Sequence, residues 1–488
     1  MTEEPSSRDR GVGIEVHGVD TIPEPDRTGR PRDVIGILFG SNMCLGVIIF
    51  GWLPASFGLG FWASVTSMIT GTLLGTVLVA PLALVSFRTG TNLSTSSGGH
   101  FGVRGRLIGS VIGLLLSLGY GALTLWTGGA AVVGPLHRLF GFPNGAWGYS
   151  LTYAVLSLLA VFTAIFGYQL LTVLSKWVAA GTTVLMIVGL FAYAGKFDPS
   201  PVVDGGHLLG DFWTTWSLST VAAGLSGPMA FITLLGDYSR YVSPNRYSPT
   251  RVFGASALGM ILGLLVPQLF GTFTAFASRA AEDYVGPLVA AAPLWFLVPL
   301  LLSGVFGTIG NGGILIYSMG LDLDAIVPNL SRIQSTTLVS ALATVLVFLG
   351  YFVWDAQSAV TAFVLLLTAV GTPWAVITLI GFARCGGSYD TEALQVFNRR
   401  SRGGIYWYTG GWNLRATAAW AIGSTVGLLS VDTALYTGPL ISITHIDVSF
   451  LLAAATTAVA YLSLTATATR PGPNGADRET SAPRTAGV

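Results

Sequence analysis

The sequence predicts an all-α polytopic membrane protein of twelve transmembrane helices with its amino terminus inside, and three observations lead there. Apolar stretches long enough to cross a hydrocarbon core recur from one end of the chain to the other. The basic residues are one-sided: with twelve spans, 21 of the 24 Lys and Arg fall in the tails, in the even-numbered connections or in the span ends beside them, and only Arg138, Lys196 and Arg279 fall on the other side. Short cationic loops stay cytoplasmic during insertion, so this asymmetry fixes the span count and the orientation together. Composition agrees, with 52% hydrophobic and 10% charged residues, and a net charge of +1 leaves no basic surface to hold nucleic acid.

The elements follow in order. Residues 1–33 carry acids and prolines (Pro23, Pro25, Pro31) ahead of any apolar run, which reads as an extended, disordered cytoplasmic tail without a cleavable signal. Spans 1 to 5 fall near 34–58, 61–86, 107–134, 148–169 and 171–195, and spans 6 to 10 near 214–239, 251–276, 293–320, 334–353 and 358–383. Spans 11 and 12 fall near 413–432 and 447–468, and residues 469–488 read as a disordered cytoplasmic C-terminal tail. The 63 glycines serve close helix packing, because van der Waals contact replaces the hydrophobic drive between helices in lipid. Cys44 and Cys385 lie far apart in topology and read as free thiols. The longest inner connections, 87–106 and 384–412, are loop-sized, so no soluble catalytic domain is inserted, and the five His fall at loops or span ends. Neither an enzyme nor a metal site is expected.

Two spans carry breaks. Span 1 reads Phe39-Gly40-Ser41-Asn42-Met43-Cys44-Leu45-Gly46, a polar, glycine-flanked patch in an apolar helix. Span 6 reads Gly224-Leu225-Ser226-Gly227-Pro228-Met229-Ala230-Phe231, where Pro228 cannot donate to the carbonyl of Gly224, so the helix is expected to open there. Freed backbone groups in a membrane must be met by protein, water or ligand. Breaks at positions 1 and 6 suit a transporter of two inverted five-helix repeats, 34–195 and 214–383, with the substrate at mid-membrane between them; a pair of ordinary kinks is the other reading.

Polar residues gather at the same level. On span 3, Tyr120, Thr124 and Thr127 share one helical face, and on span 8, Gly304, Gly307 and Asn311 form a stripe in which two glycines make a groove ending in a carboxamide. A buried amide is costly unless something meets it, which favours ligand contact for Asn311. For Thr124 a bond to its own helix is an equal alternative.

At this point the residues resemble a known family. Arg32-Asp33, Asn42, Phe101-Gly102-Val103-Arg104-Gly105, Asp237-Tyr238-Ser239-Arg240-Tyr241, Asn311 with Tyr317-Ser318, Pro373-Trp374 and Tyr408-Thr409-Gly410-Gly411-Trp412-Asn413 are similar, in order and span placement over about 14–468, to the nucleobase:cation symporter family, in its purine and cytosine permease branch. The resemblance implies a LeuT-type fold of ten core and two peripheral helices, and a secondary active transporter that imports a purine or cytosine by cation symport through the plasma (inner) membrane. A hydantoin, allantoin or vitamin-like ring is the alternative substrate. It also implies that aromatics on spans 3 and 6 sandwich the base, which places Tyr120 and Phe231 around it, with Asn311 on its edge and Asn42, Thr124 and Thr233 completing the contacts. Stacking suits a neutral, planar guest, at roughly 1 to 3 kcal/mol per base.

The chain departs from that pattern. The span 3 aromatic, usually Trp, is Tyr120, and the polar residue one turn on, often Asn or Gln, is Thr124. Where sodium-coupled relatives place Ser or Thr on span 8, this chain has Val305-Phe306, with Ser303 and Thr308 displaced to either side as the remaining candidates for a cation. Apolar side chains offer sodium no hard oxygen ligand, which makes a co-transported proton the better expectation than Na+. No carboxylate is expected at mid-membrane, because Asp237, Asp322, Asp324 and Asp432 fall near span ends. Asp237 and Arg240 read as an end-of-span pair reaching toward water. His100, in a glycine-rich loop with no second ligand, reads as part of a solvent-exposed turn.

Overall fold

The computed structural model describes residues 18–203, 205–327, 329–352, 356–432 and 436–466. Among these, eight helices are long and apolar enough to cross a membrane: Phe61–Thr89, Leu107–Phe140, Ala146–Phe166, Lys176–Ala194, Pro249–Ser278, Leu294–Ile326, Ile333–Tyr351 and Ala362–Arg384. They are spans 2, 3, 4, 5, 7, 8, 9 and 10. Span 1 is the pair Pro31–Ser41 and Leu45–Gly51, bent by 75° at its break. Spans 11 and 12 are the shorter helices Leu414–Leu429 and Ser449–Thr465. Span 6 is a series of short pieces around the interruption expected there.

Local chemistry sets the element ends. Span 1 starts at Pro31, three residues earlier than its apolar run, because Pro suits the first helical position and the Asp33 carboxylate accepts from the Arg30 N–H at 3.1 Å. Span 6 starts where Asp211 accepts from the Thr214 N–H. Its helix Phe212–Ser219 widens into a π-helical turn over Thr220–Leu225, resumes over Ser226–Met229, tightens into hydrogen-bonded turns over residues 230–234, where Phe231 N donates to Pro228 O and Ile232 N to Met229 O, and resumes over Leu235–Ser239. The α-helix is therefore interrupted just past Pro228 and not at it. The wide turn absorbs the missing proline donor, and neighbouring spans satisfy the freed carbonyls: Thr72 Oγ1 sits 3.2 Å from Gly224 O, and Gln268 Nε2 donates to Ala223 O at 3.0 Å. Gln268→Leu should accordingly lower stability by about 1 to 3 kcal/mol, the cost of a buried acceptor left unmet, seen as a lower melting midpoint in detergent.

The expected disordered tail is corrected for residues 18–30, which pack against the helix ends. Val19 and Ile22 are buried, Ile22 N donates to Gly90 O at 2.9 Å, Thr91 Oγ1 to Val19 O at 2.7 Å, and Gly29 N to Tyr241 O at 2.9 Å. The Arg27 guanidinium, also buried, donates to Phe87 O, Arg240 O and Val242 O at 2.5, 2.9 and 2.7 Å, and burial lowers its pKa. Carbonyls at the ends of spans 2 and 6 need donors, and this segment supplies them in place of water. The C-terminal tail at 469–488 lies outside the described residues.

Two further expectations on this N-terminal face change. Asp237 and Arg240 are buried instead of reaching for water, and Arg240 donates to Gly18 O and Tyr317 Oη. His100 is buried as well, its ring bonded to Tyr389 Oη at 2.7 Å, and burial pushes its pKa down to about 4, so it stays neutral. The loop from the end of span 10 to span 11 folds over it, as Asn413 Nδ2 donates to His100 O. On the opposite face Arg138, Lys196 and Arg279 come together, donating to carbonyls of Ala292, Ala291 and Ser200. The three residues set apart by the charge pattern do share one side of the bundle.

Candidate functional site

Spans 3 and 8 pack together and meet the two broken spans at one level. Gly307 permits this: a Cβ there would stand 2.8 Å from Met43 O and 2.9 Å from Cys44 Cα, so only glycine lets span 8 lie on the break of span 1. One turn further, Asn311 bridges three elements. Its Oδ1 accepts from Thr124 Oγ1 of span 3 at 2.7 Å, and its Nδ2 donates to Ser41 O, a carbonyl freed at the span 1 break, at 2.7 Å. Thr124 thus bonds across helices, whereas Thr127 bonds its own helix at Leu123 O.

Tyr120 is buried one turn before Thr124, and its Oη donates to Ser226 O on span 6 at 2.8 Å. Its ring lies 6.1 Å from that of Phe50 on the second half of span 1, tilted by 42°. Phe231 is buried in the turns of span 6, five residues after the carbonyl that holds Tyr120.

The other candidates are placed differently from the expected ring of contacts. Asn42 ends the first half of span 1, and its Nδ2 donates to Leu38 O at 2.6 Å; an interrupted helix leaves its last carbonyls orphaned, and this amide satisfies one of them. Thr233 is buried two residues past Phe231, but its hydroxyl faces Gly113 at a lower level of span 3 and has no hydrogen-bond partner among the described residues. Ser303 and Thr308 do not form a joint cation site. Ser303 lines a small apolar cavity with Leu45, Ile48, Phe270 and Phe296, and Thr308 Oγ1 is pressed against Gly128 of span 3. Five residues apart on a helix, the two hydroxyls point to different faces. Phe306 is 47% exposed on the outer surface of span 8 and cannot line any inner site.

Sequence reading missed two members. Phe50 is one apolar residue among many in span 1, and only its approach to Tyr120 singles it out. Cys44 is buried in the break, at the point where Gly307 lets span 8 lie against span 1; its place beside Asn42 was the available signal. The assembled site is an aromatic ring, a hydroxyl and a carboxamide on rigid helices, set against the break of span 1 and the interrupted helix of span 6. This arrangement can hold a flat, uncharged molecule by stacking and by exchange of edge hydrogen bonds.

Residues 21–454 match the family model described as permease for cytosine/purines, uracil, thiamine, allantoin. Among proteins of similar sequence, a Bacillus subtilis protein classed as a purine-cytosine permease is 24% identical over 440 residues, covering 88% of this chain and 90% of its own. The hydantoin permease of Microbacterium maritypicum is 23% identical over 430 residues, covering 85% and 84%. Among solved structures, Mhp1, a nucleobase-cation-symport-1 family transporter in a closed conformation with bromovinylhydantoin bound, superposes with a TM-score of 0.74 at 17% identity over 95% of this chain and 98% of its own. That likeness shows the fold, the LeuT-type arrangement expected from the resemblance.

Proposed function

The chain belongs to the family of permeases for cytosine/purines, uracil, thiamine and allantoin, and from that premise we propose that it imports a nucleobase, a purine or cytosine, together with a cation by alternating access. The observation that carries this reading is Asn311, whose amide joins span 3 to the open backbone of span 1 one turn from Tyr120. A base edge presents a donor and an acceptor side by side, and a carboxamide can answer both. Entry of the base would exchange the bonds to Thr124 Oγ1 and Ser41 O for bonds to the guest, so substrate binding and the geometry of the span 1 break change together. Tyr120 and Phe231 then supply the stacking faces, with Thr124 beside the edge and Asn42 holding the broken helix end.

In this reading residues 34–195 and 214–383 are the inverted repeats, 413–468 are peripheral, and both termini lie in the cytoplasm of a cell whose plasma membrane the chain crosses. The proton is the preferred cation, because Ser303 and Thr308 diverge and Phe306 faces outward. A hydantoin, allantoin or vitamin-like ring is the second reading, favoured by the Tyr120 and Thr124 pair, which leaves more room and a shorter polar arm than Trp with Asn or Gln.

The deciding experiment is uptake into proteoliposomes of labelled adenine, hypoxanthine, cytosine, uracil, hydantoin, allantoin and thiamine, under proton and sodium gradients in turn. Gradient-driven accumulation of a purine or cytosine is the expected result. Accumulation of hydantoin, allantoin or thiamine alone would move the assignment to the second reading, and saturable binding of none of the panel would defeat both.

A further inference from the structure

Asp322 lies near the N-terminal face end of span 8, three turns from Asn311, yet is only 3% exposed. Its Oδ1 accepts a single hydrogen bond, from Ser94 Oγ at 2.9 Å. Its Oδ2 lies against Gly113 of span 3, where a Cβ would collide with both that oxygen and Thr233 Oγ1, the hydroxyl without a partner among the described residues. Carboxyl and hydroxyl therefore converge on one bare patch of span 3, and Thr233 is two residues from Phe231 along span 6.

The surroundings offer this carboxyl no counter-charge. The segment Leu235–Ser239 contributes Asp237, a second acid that acts on Asp322 electrostatically, and Tyr238. The short helix Leu93–Ser96 contributes Ser94, and span 3 contributes Gly113. Arg106, at the foot of span 3, acts on Asp324 and donates to Thr95 Oγ1 and Ala325 O, and Arg240 donates to Gly18 O and Tyr317 Oη. Among the described residues no basic side chain is paired with Asp322. A buried carboxylate with one donor and no cation is far out of balance, whereas the neutral acid needs only one acceptor, and the Thr233 oxygen shares the Gly113 patch with it.

We propose that Asp322 is the proton-carrying group of the symport, loaded through the substrate site by way of the Thr233 hydroxyl and unloaded when the N-terminal face opens. This inference rests on the transport reading above. In the conformation described, the face is closed over Asp322 and the carboxyl holds its proton. Opening admits water, the O–H bond breaks and the proton leaves to the cytoplasmic side; re-closing then buries the emptied carboxylate, which takes its next proton from the outer side by way of the Thr233 hydroxyl. The closed face is thereby linked to the loaded acid, which is the differential affinity that coupling requires.

The test uses full-length protein in proteoliposomes, with labelled cytosine and hypoxanthine as probes. The parent should accumulate one of them about tenfold more per unit of imposed pH gradient, as one proton per molecule requires. Asp322→Asn keeps the shape and mimics the loaded acid; it should lose gradient-driven accumulation while keeping exchange of internal for external base within about threefold of the parent. Ser94→Ala removes the only donor to the carboxyl and should move the uptake profile to higher pH, which decides the matter if Asp322→Asn does not fold. Asp322→Asn that still accumulates with the parent's dependence on the proton gradient overturns the proposal. So does an unmoved profile in Ser94→Ala, or a parent driven by sodium and indifferent to protons. Absence of any binding by the parent would instead defeat the transport reading itself.

Discussion

Tyr120→Ala and Phe231→Ala should each weaken base binding and uptake by about 5-fold to 150-fold. Removal of a stacking ring from a single-base site costs roughly 1 to 3 kcal/mol, which corresponds to about 5-fold to 150-fold in affinity. Nothing else in the site substitutes for the rings, since Thr124 and Asn311 can meet only the edge of a flat guest. Tyr120→Phe separates ring from hydroxyl. It keeps the stacking face and loses the bond to Ser226 O, so its affinity should fall by no more than about tenfold, the worth of one neutral hydrogen bond. Equilibrium binding of the preferred base to purified variants, each checked for monodispersity, is the measurement. Both alanine variants binding and transporting like the parent, with every base the parent accepts, would remove Tyr120 and Phe231 from the pocket.

Arg27→Ala should shift the protein away from the conformation described here. One buried guanidinium holds the end of span 2, at Phe87 O, to the end of span 6, at Arg240 O and Val242 O, and it rides on a segment tied to Gly90 and Tyr241. Charge-assisted bonds of this kind are worth about 1.5 to 3 kcal/mol each when made, and they exist only while the face is closed. Loss of even one bond's worth changes the ratio of closed to open forms by about tenfold or more. Spin labels at the exposed positions Asn245 and Asn329, after spans 6 and 8, in a Cys385→Ser background, should report a longer distance distribution in Arg27→Ala. Gradient-driven accumulation should fall with it, because a carrier held open on one side cannot complete the cycle. An unchanged distance distribution would mean that the N-terminal segment decorates the closed face without holding it.

The sequence by itself determined the spans, the one-sidedness of the basic residues, the break in span 1, and the level at which Tyr120, Thr124 and Asn311 gather. These are properties of each residue's own relation to water and lipid, or of local backbone chemistry such as a missing proline donor, and they are readable from spacing alone. Only the tertiary structure decided which polar groups meet. Asn42 and Asn311 are alike on paper, but one amide closes its own helix end and the other bridges spans 3 and 1. Asp322 and Arg27 look like solvated end-of-span or tail charges, yet packing buries both. Ser303 and Thr308 look like neighbours, yet helix rotation turns them to separate surroundings. A hydrogen bond between residues some 200 positions apart depends on the register and rotation of two helices set by all the others. Composition and periodicity describe one helix at a time, so the pairings that make the site appear only when the helices are packed.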